Sequence, residues 1–161
     1  MKPKTIKRIR RRFESLPLHF IDTDILFEAN HDTKLGNQCP NYLNRVGYKY
    51  RGLIPLSVIG EFFMIVFRDV QKTEEKYLLF NFIDRLIKKR KIKFSALKHG
   101  SLKIVDKIKE IDSRIEDTDA IHFANCIQDK GNVFVTFDEK LAENEKLENE
   151  FNIRIIHPKN L

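Results

Sequence analysis

Two hydrophobic periods alternate along this chain. Short, almost wholly apolar runs predict strands at LHFID (18–22), RGLIPLS (51–57), IKFSAL (92–97), NVFVTF (132–137) and NIRIIHP (152–158). The stretches between them carry helical spacing. Ser57 is placed as the N-cap of VIGEFFMIVFRDV. Thr73 opens a helix that sets Leu79, Phe82, Ile83, Leu86 and Ile87 on one face, with an acidic start and a basic end suited to the helix dipole. Residues 101–111 repeat the pattern with Leu102, Val105, Ile108 and Ile111. Thr118 caps a further helix, with Ala120, Phe123, Ala124 and Ile127 inward, that ends near Gly131. Strands alternating with helices argue for a three-layer α/β/α domain around one central, mostly parallel sheet of five strands. In such sheets the ligand crevice lies beyond the carboxyl ends of the strands.

Composition changes this picture little. A chain of 161 residues, 42% hydrophobic and 33% charged, is one ordinary globular domain. The longest apolar run, Phe62 to Phe67, is far too short to span a membrane. The first apolar stretch is broken by His19, Asp22 and Asp24, so it is no signal-peptide core and a cytoplasmic location is expected. Cys39 and Cys126 form no C-x-x-C pair and read as reduced, buried packing residues.

The charge matters more for where it falls than for its total. Residues 1–14 hold seven Lys or Arg and one Glu, a net of +6 in a chain of +7. The reading is a basic, flexible arm over 1–16 and a folded domain over 17–161. Lys7, Arg8, Arg10, Arg11 and Arg12 are the arm's candidate RNA contacts, since such a run suits a polyanion; a merely solubilising terminus is the competing account. A second cluster packs six cations between Arg85 and Lys93.

Against this basic background, acids gather at the strand ends. Asp22 and Asp24 end the first strand, and Asp138 follows the fourth with Thr136 two residues before it. Glu61 sits early in the helix after the second strand, and Asp117 and Asp119 open the helix that leads into the fourth. All map to one rim of the sheet. Singly, Asp22 or Asp138 could cap a helix, and Asp119 could serve a helix dipole. Glu61 resists that account, since its neighbours are Val58, Ile59, Phe62 and Phe63. One carboxylate pair at about 4 Å costs roughly 4 kcal/mol at an effective dielectric of 20. Crowded acids therefore point to a hard divalent cation, Mg²⁺ or Mn²⁺.

The order of these pieces resembles the PIN-domain ribonucleases over about residues 18 to 158. FIDTDIL matches the opening hydrophobic-Asp-Thr motif, SVIGEF the Ser-x-x-x-Glu helix, and DAIHFANCIQDKGNVFVTFDEKL the block that ends in Thr-x-Asp. The resemblance implies a PIN-like, Rossmann-like fold and a metal-dependent endoribonuclease. By motif position Asp22, Glu61, Asp119 and Asp138 are the metal-binding and catalytic acids, with Thr136 a supporting hydroxyl. Asp24 stands where the family often has Asn or Ser, so it is either an additional ligand or a helix cap; Asp117 is a further supporting residue. The resemblance also brings in an antitoxin-like protein as partner, beside RNA; oligomeric state, a homodimer included, stays open.

Hydrolysis of a phosphodiester needs an activated water and relief of charge on oxygen, which one or two such ions supply. No histidine is assigned as a general base. His19, His31, His99 and His157 are scattered, and His122, one turn past Asp119, reads as a packing or supporting residue. Two rival readings remain. An RNA-binding or assembly factor would carry a weak or silent site. A haloacid-dehalogenase-type phosphatase would use Asp22-x-Asp24, but the Gly-Thr that usually follows is missing and Glu61 has no part in that chemistry.

Overall fold

A computed structural model of the protein describes residues 13–89, 92–96, 98–142 and 144–161. Its centre is a parallel sheet in the order β3-β2-β1-β4-β5, with β1 Leu18–Ile21, β2 Arg51–Pro55, β3 Ile92–Ser95, β4 Val133–Val135 and β5 Arg154–Ile156. Phe20 pairs with Leu53 on one side and with Phe134 on the other, so β1 is the middle of the sheet. The chain travels outward from β1 through β2 to β3, then returns to lay β4 on the opposite flank of β1. That reversal opens a crevice at the carboxyl ends of β1 and β4.

The helices cover both faces, and the strand pleat sorts side chains between them. Helices α1 (Thr23–Glu28), α2 (Cys39–Arg45), α3 (Leu56–Asp69) and α4 (Thr73–Lys88) pack on one face. There Ile21, Ile54, Val133, Val135 and Ile156 meet Ile25, Leu26, Tyr42, Val58, Phe62, Leu79 and Ile83. Helices α5 (Ser101–Ile111), α6 (Asp117–Gln128), α7 (Glu139–Ala142) and α8 (Glu145–Phe151) pack on the other. Phe20, Phe134 and Ile155 meet Ile108, Phe123, Leu141 and Leu147 on that face. Consecutive residues such as Phe20 and Ile21 thus serve different cores, as a period of two requires. All three residues of β4 are buried, which is what an inner strand covered on both faces needs.

Several expectations are corrected. Ser57 is not an N-cap: β2 runs straight into α3, Pro55 holds the extended capping conformation, and Ser57 already lies in the first turn. Thr118 is not one either, because the backbone turns helical after Glu116 and both Asp117 and Asp119 fall in the first turn of α6. Leu102 and Ile87 point to solvent, so the buried faces of α5 and α4 are narrower than their spacing suggested. Helix α2 had no counterpart in the apolar pattern. Cys39 and Cys126 are free and buried, as expected. The arm residues Lys7, Arg8, Arg10, Arg11 and Arg12 lie outside the described residues, as do Arg90, Lys91 and Leu97. Among the described residues no helix is long and apolar enough to cross a membrane.

Candidate active site

The crevice at the carboxyl ends of β1 and β4 is a cleft of about 430 Å³ lined by Asp22, Thr23, Asp24, Glu61, Glu116, Asp119 and Asp138, with Phe27, Ile65 and Phe137 among its apolar walls. Each acid arrives on a different element. Asp22 ends β1 and caps α1, accepting from its neighbour Thr23 N at 2.8 Å. Glu61 comes from the second turn of α3, Asp119 from the first turn of α6, and Asp138 from the turn after β4. Asp138 Oδ1 accepts from Leu141 N at 3.1 Å, so this acid also caps a short helix. Asp22 and Asp138 each cap a helix through one oxygen and also line the cleft.

A hydrogen-bond relay holds the floor. Asp24 Oδ2 accepts from Phe137 N at 2.7 Å and from Thr136 Oγ1 at 3.2 Å, and Thr136 Oγ1 in turn accepts from Asp138 N at 3.0 Å. The fully buried Thr136 therefore ties the end of β4 to the start of α1. Asp24 is a fastener whose other oxygen, Oδ1, is buried and has no hydrogen-bond partner among the described residues. Asp117 is not brought into the cleft. It is exposed and pairs with Lys109 at 2.9 Å, because residues two apart on a helix do not share a face.

His122, on the turn of α6 after Asp119, stands behind the acids with its Nδ1 3.1 Å from Asp22 Oδ1 and 3.8 Å from Glu61 Oε2. Thr23 Oγ1 donates to the same Glu61 oxygen. Thr23 entered the sequence reading only as the Thr of the FIDTDIL motif, with no role assigned to it. One ligand atom each of Asp22, Asp119 and His122 lies within 4.8 Å of the others.

Electrostatics follow from burial and crowding. Burial, then the charges of Asp22 and Asp138, push the Asp119 carboxyl up to about 7. Burial and the charge of Asp22 likewise hold Asp24 well above the usual carboxylate range, against the pull of its hydrogen bonds. Burial lowers the His122 imidazole, but its bond to Asp22 and the charges of Asp22, Glu61 and Asp119 outweigh that and raise it. A rim that raises acids in this way, with one buried carboxylate oxygen left unpaired, fits a hard divalent cation: the donors are carboxylate oxygens, and a positive charge among them removes the repulsion.

No family model matches the chain, and no curated protein matches it in sequence. Solved structures do match in fold. VapBC2 from Rickettsia felis, bound to a DNA fragment from its promoter, is 15% identical with a TM-score of 0.61, over 87% of this chain and 98% of that one. A toxin-antitoxin complex from Klebsiella pneumoniae is 11% identical with a TM-score of 0.57, over 87% and 97%. VapC20 of Mycobacterium tuberculosis, a Sarcin-Ricin loop cleaving toxin, is 13% identical with a TM-score of 0.55, over 75% and 90%. The five-stranded parallel sheet with helices on both faces agrees with that likeness, and the chain has the PIN-domain fold.

Proposed function

We propose that the protein is a Mg²⁺- or Mn²⁺-dependent endoribonuclease whose cleft binds and cuts RNA phosphodiesters. The observation that carries this reading is the convergence of Asp22, Glu61, Asp119 and Asp138, from four separate elements, on one cleft at the switch point of the sheet. These four residues would hold the ion. When bound, it supplies a water of lowered pKa and draws charge from the phosphoryl and leaving oxygens. The chain's own part is positional. Thr23, Thr136 and the helix starts fix where each carboxylate points, and the apolar walls around Phe27, Ile65 and Phe137 limit water behind the scissile group.

The neighbours' descriptions support the same direction, one as a loop-cleaving toxin and another as a toxin-antitoxin complex. By that analogy an antitoxin-like protein is the proposed partner, with the basic arm the proposed RNA contact. The decisive measurement incubates the purified full chain with labelled RNA in Mn²⁺ or in EDTA, beside Asp22→Asn. Cleavage that needs Mn²⁺ and the Asp22 carboxylate is the expected result. RNA binding without cleavage in any divalent metal would instead identify an RNA-binding factor with a silent site. A phospho-aspartate at Asp22 after exposure to a phosphate ester would identify the phosphatase.

A further inference from the structure

Resting on the metal-nuclease reading of the rim, a second question concerns which carboxylate oxygens the protein leaves free. Asp22 Oδ1 accepts from two donors, Thr23 N at 2.8 Å and His122 Nδ1 at 3.1 Å. A carboxylate oxygen accepts, so the imidazole proton is on Nδ1. Glu61 Oε2 accepts from Thr23 Oγ1 and lies 3.8 Å from that same imidazole nitrogen. Thr23 and His122 thus engage one oxygen of each acid. Among the described residues, Asp22 Oδ2 and Glu61 Oε1 receive no hydrogen bond, although both residues line the cleft. His122 is 1% exposed and forms no part of the cleft wall, so its grip comes from behind.

We infer that Thr23 and His122 form a clamp that makes Asp22 and Glu61 single-oxygen ligands, and that this clamp selects a small octahedral cation against Ca²⁺. Ca²⁺ takes six to eight oxygens at about 2.3–2.6 Å and readily uses both oxygens of a carboxylate. Mg²⁺ takes six at about 2.0–2.1 Å, keeps several waters and needs one oxygen from each carboxylate. For Asp22 to offer both oxygens, Oδ1 must give up one of its two donors, the Thr23 N–H or the buried His122 N–H, and either loss costs a made hydrogen bond. For Glu61 to do so, Oε2 must turn its one remaining lone pair to the ion while the buried Thr23 hydroxyl holds its orientation. The cost falls on the larger ion alone. In this arrangement His122 and Thr23 are positioning residues, and their effect lies in which cation is held rather than in the chemical step.

Calorimetric titration of the full chain with Mn²⁺, Mg²⁺ and Ca²⁺ separately tests this in the wild type and in His122→Leu, His122→Asn and Thr23→Val. The native protein should prefer Mn²⁺ and Mg²⁺ to Ca²⁺. His122→Leu and Thr23→Val should each narrow the Mn²⁺/Ca²⁺ ratio of dissociation constants by about tenfold, the scale on which a partner of a ligand acts. His122→Asn, whose amide N–H stands close to the place of Nδ1, should retain the native ratio. Should His122→Leu fail to fold, Thr23→Val carries the test. A native protein that holds Mn²⁺ and cuts RNA, with variants that keep its ratio, overturns the clamp and leaves the nuclease reading standing. A native protein that binds none of the three ions overturns both.

Discussion

Two imidazoles in this protein are equally buried, His122 at 1% exposure and His19 at 2%, and they titrate in opposite directions. His122 sits at the carboxyl rim of the sheet against Asp22, Glu61 and Asp119, and is raised. His19 sits near the amino edge, stacked on Tyr50 with ring centres 4.0 Å apart and with Tyr42 Oη 3.4 Å from its Nδ1. Burial first, then the charge of Arg154, lowers it to about 4. The cleft of about 680 Å³ at that edge is lined by Arg51, Arg154, Tyr50 and Asn132, and the described chain enters the domain there. Desolvation alone would lower both histidines, so the neighbours decide the sign. The neighbours of His122 are carboxylates at the rim, and the charge that acts on His19 at the amino edge is that of Arg154.

The sharpest way to break the contrast is to remove a carboxylate from the rim. Asp119→Asn should cut RNA cleavage by about a thousandfold, since losing a ligand forfeits several kcal/mol of charge stabilisation. Single-turnover cleavage in Mn²⁺ reads this directly, and activity near the native level would mean that the acids are structural.

The same variant should be more stable than the native protein without metal. With the folded Asp119 carboxyl at about 7 against an ordinary 3.8, the folded state holds the extra proton between those values. Stability from this group therefore falls as pH rises through that window, by at most about 4 kcal/mol above it. Thermal melts in EDTA at pH 8 should place Asp119→Asn above the native protein. Mn²⁺ should raise the native melting temperature more than that of the variant. A variant that melts lower in EDTA would assign Asp119 a helix-start role instead.

At the other pole the sign reverses. The unfolded chain protonates His19 near 6.5 and the folded one near 4, so the unfolded state holds more protons between them. Stability from His19 is complete above 6.5 and falls as pH drops, by about 3 kcal/mol at pH 4. His19→Phe keeps a ring against Tyr50 and has no proton to take up. The difference between the two proteins' unfolding free energies, measured from pH 7 to pH 4, should follow that curve, and a flat difference would remove His19 from the account.

The smallest expected effect concerns the basic arm. Deleting residues 1–12 should weaken RNA binding and lower the salt slope by about 0.7 for each cation that had touched a phosphate of single-stranded RNA. The Mn²⁺ response of the melting temperature should not move. An unchanged slope would leave the arm a solubilising terminus.

Much of this protein was legible in its residues taken locally. The five apolar runs became the five strands within a few residues; β4 is apolar and buried throughout because both its faces are covered, while the edge strand β3 leaves Lys93 and Phe94 exposed. Glu61 stood out among Val58, Ile59, Phe62 and Phe63 because a charge on such a helix face needs a reason. Helix α2 escaped notice: CPNYLNR is short and buries Cys39, Tyr42 and Leu43 without a repeated apolar stripe. The caps at Ser57 and Thr118 failed for a related reason, since the backbone before each helix, at Pro55 and Glu116, set the start rather than the nearest hydroxyl. What tertiary structure alone decided was adjacency. His122 meets Asp22 across 100 residues, and Thr136 meets Asp24 across 112, only because β4 returns to lie beside β1. Strand order is set by how whole layers pack, and no local period carries it. The same packing left His19 to burial and the charge of Arg154 but set His122 against carboxylates, and so decided which buried imidazole is lowered and which is raised.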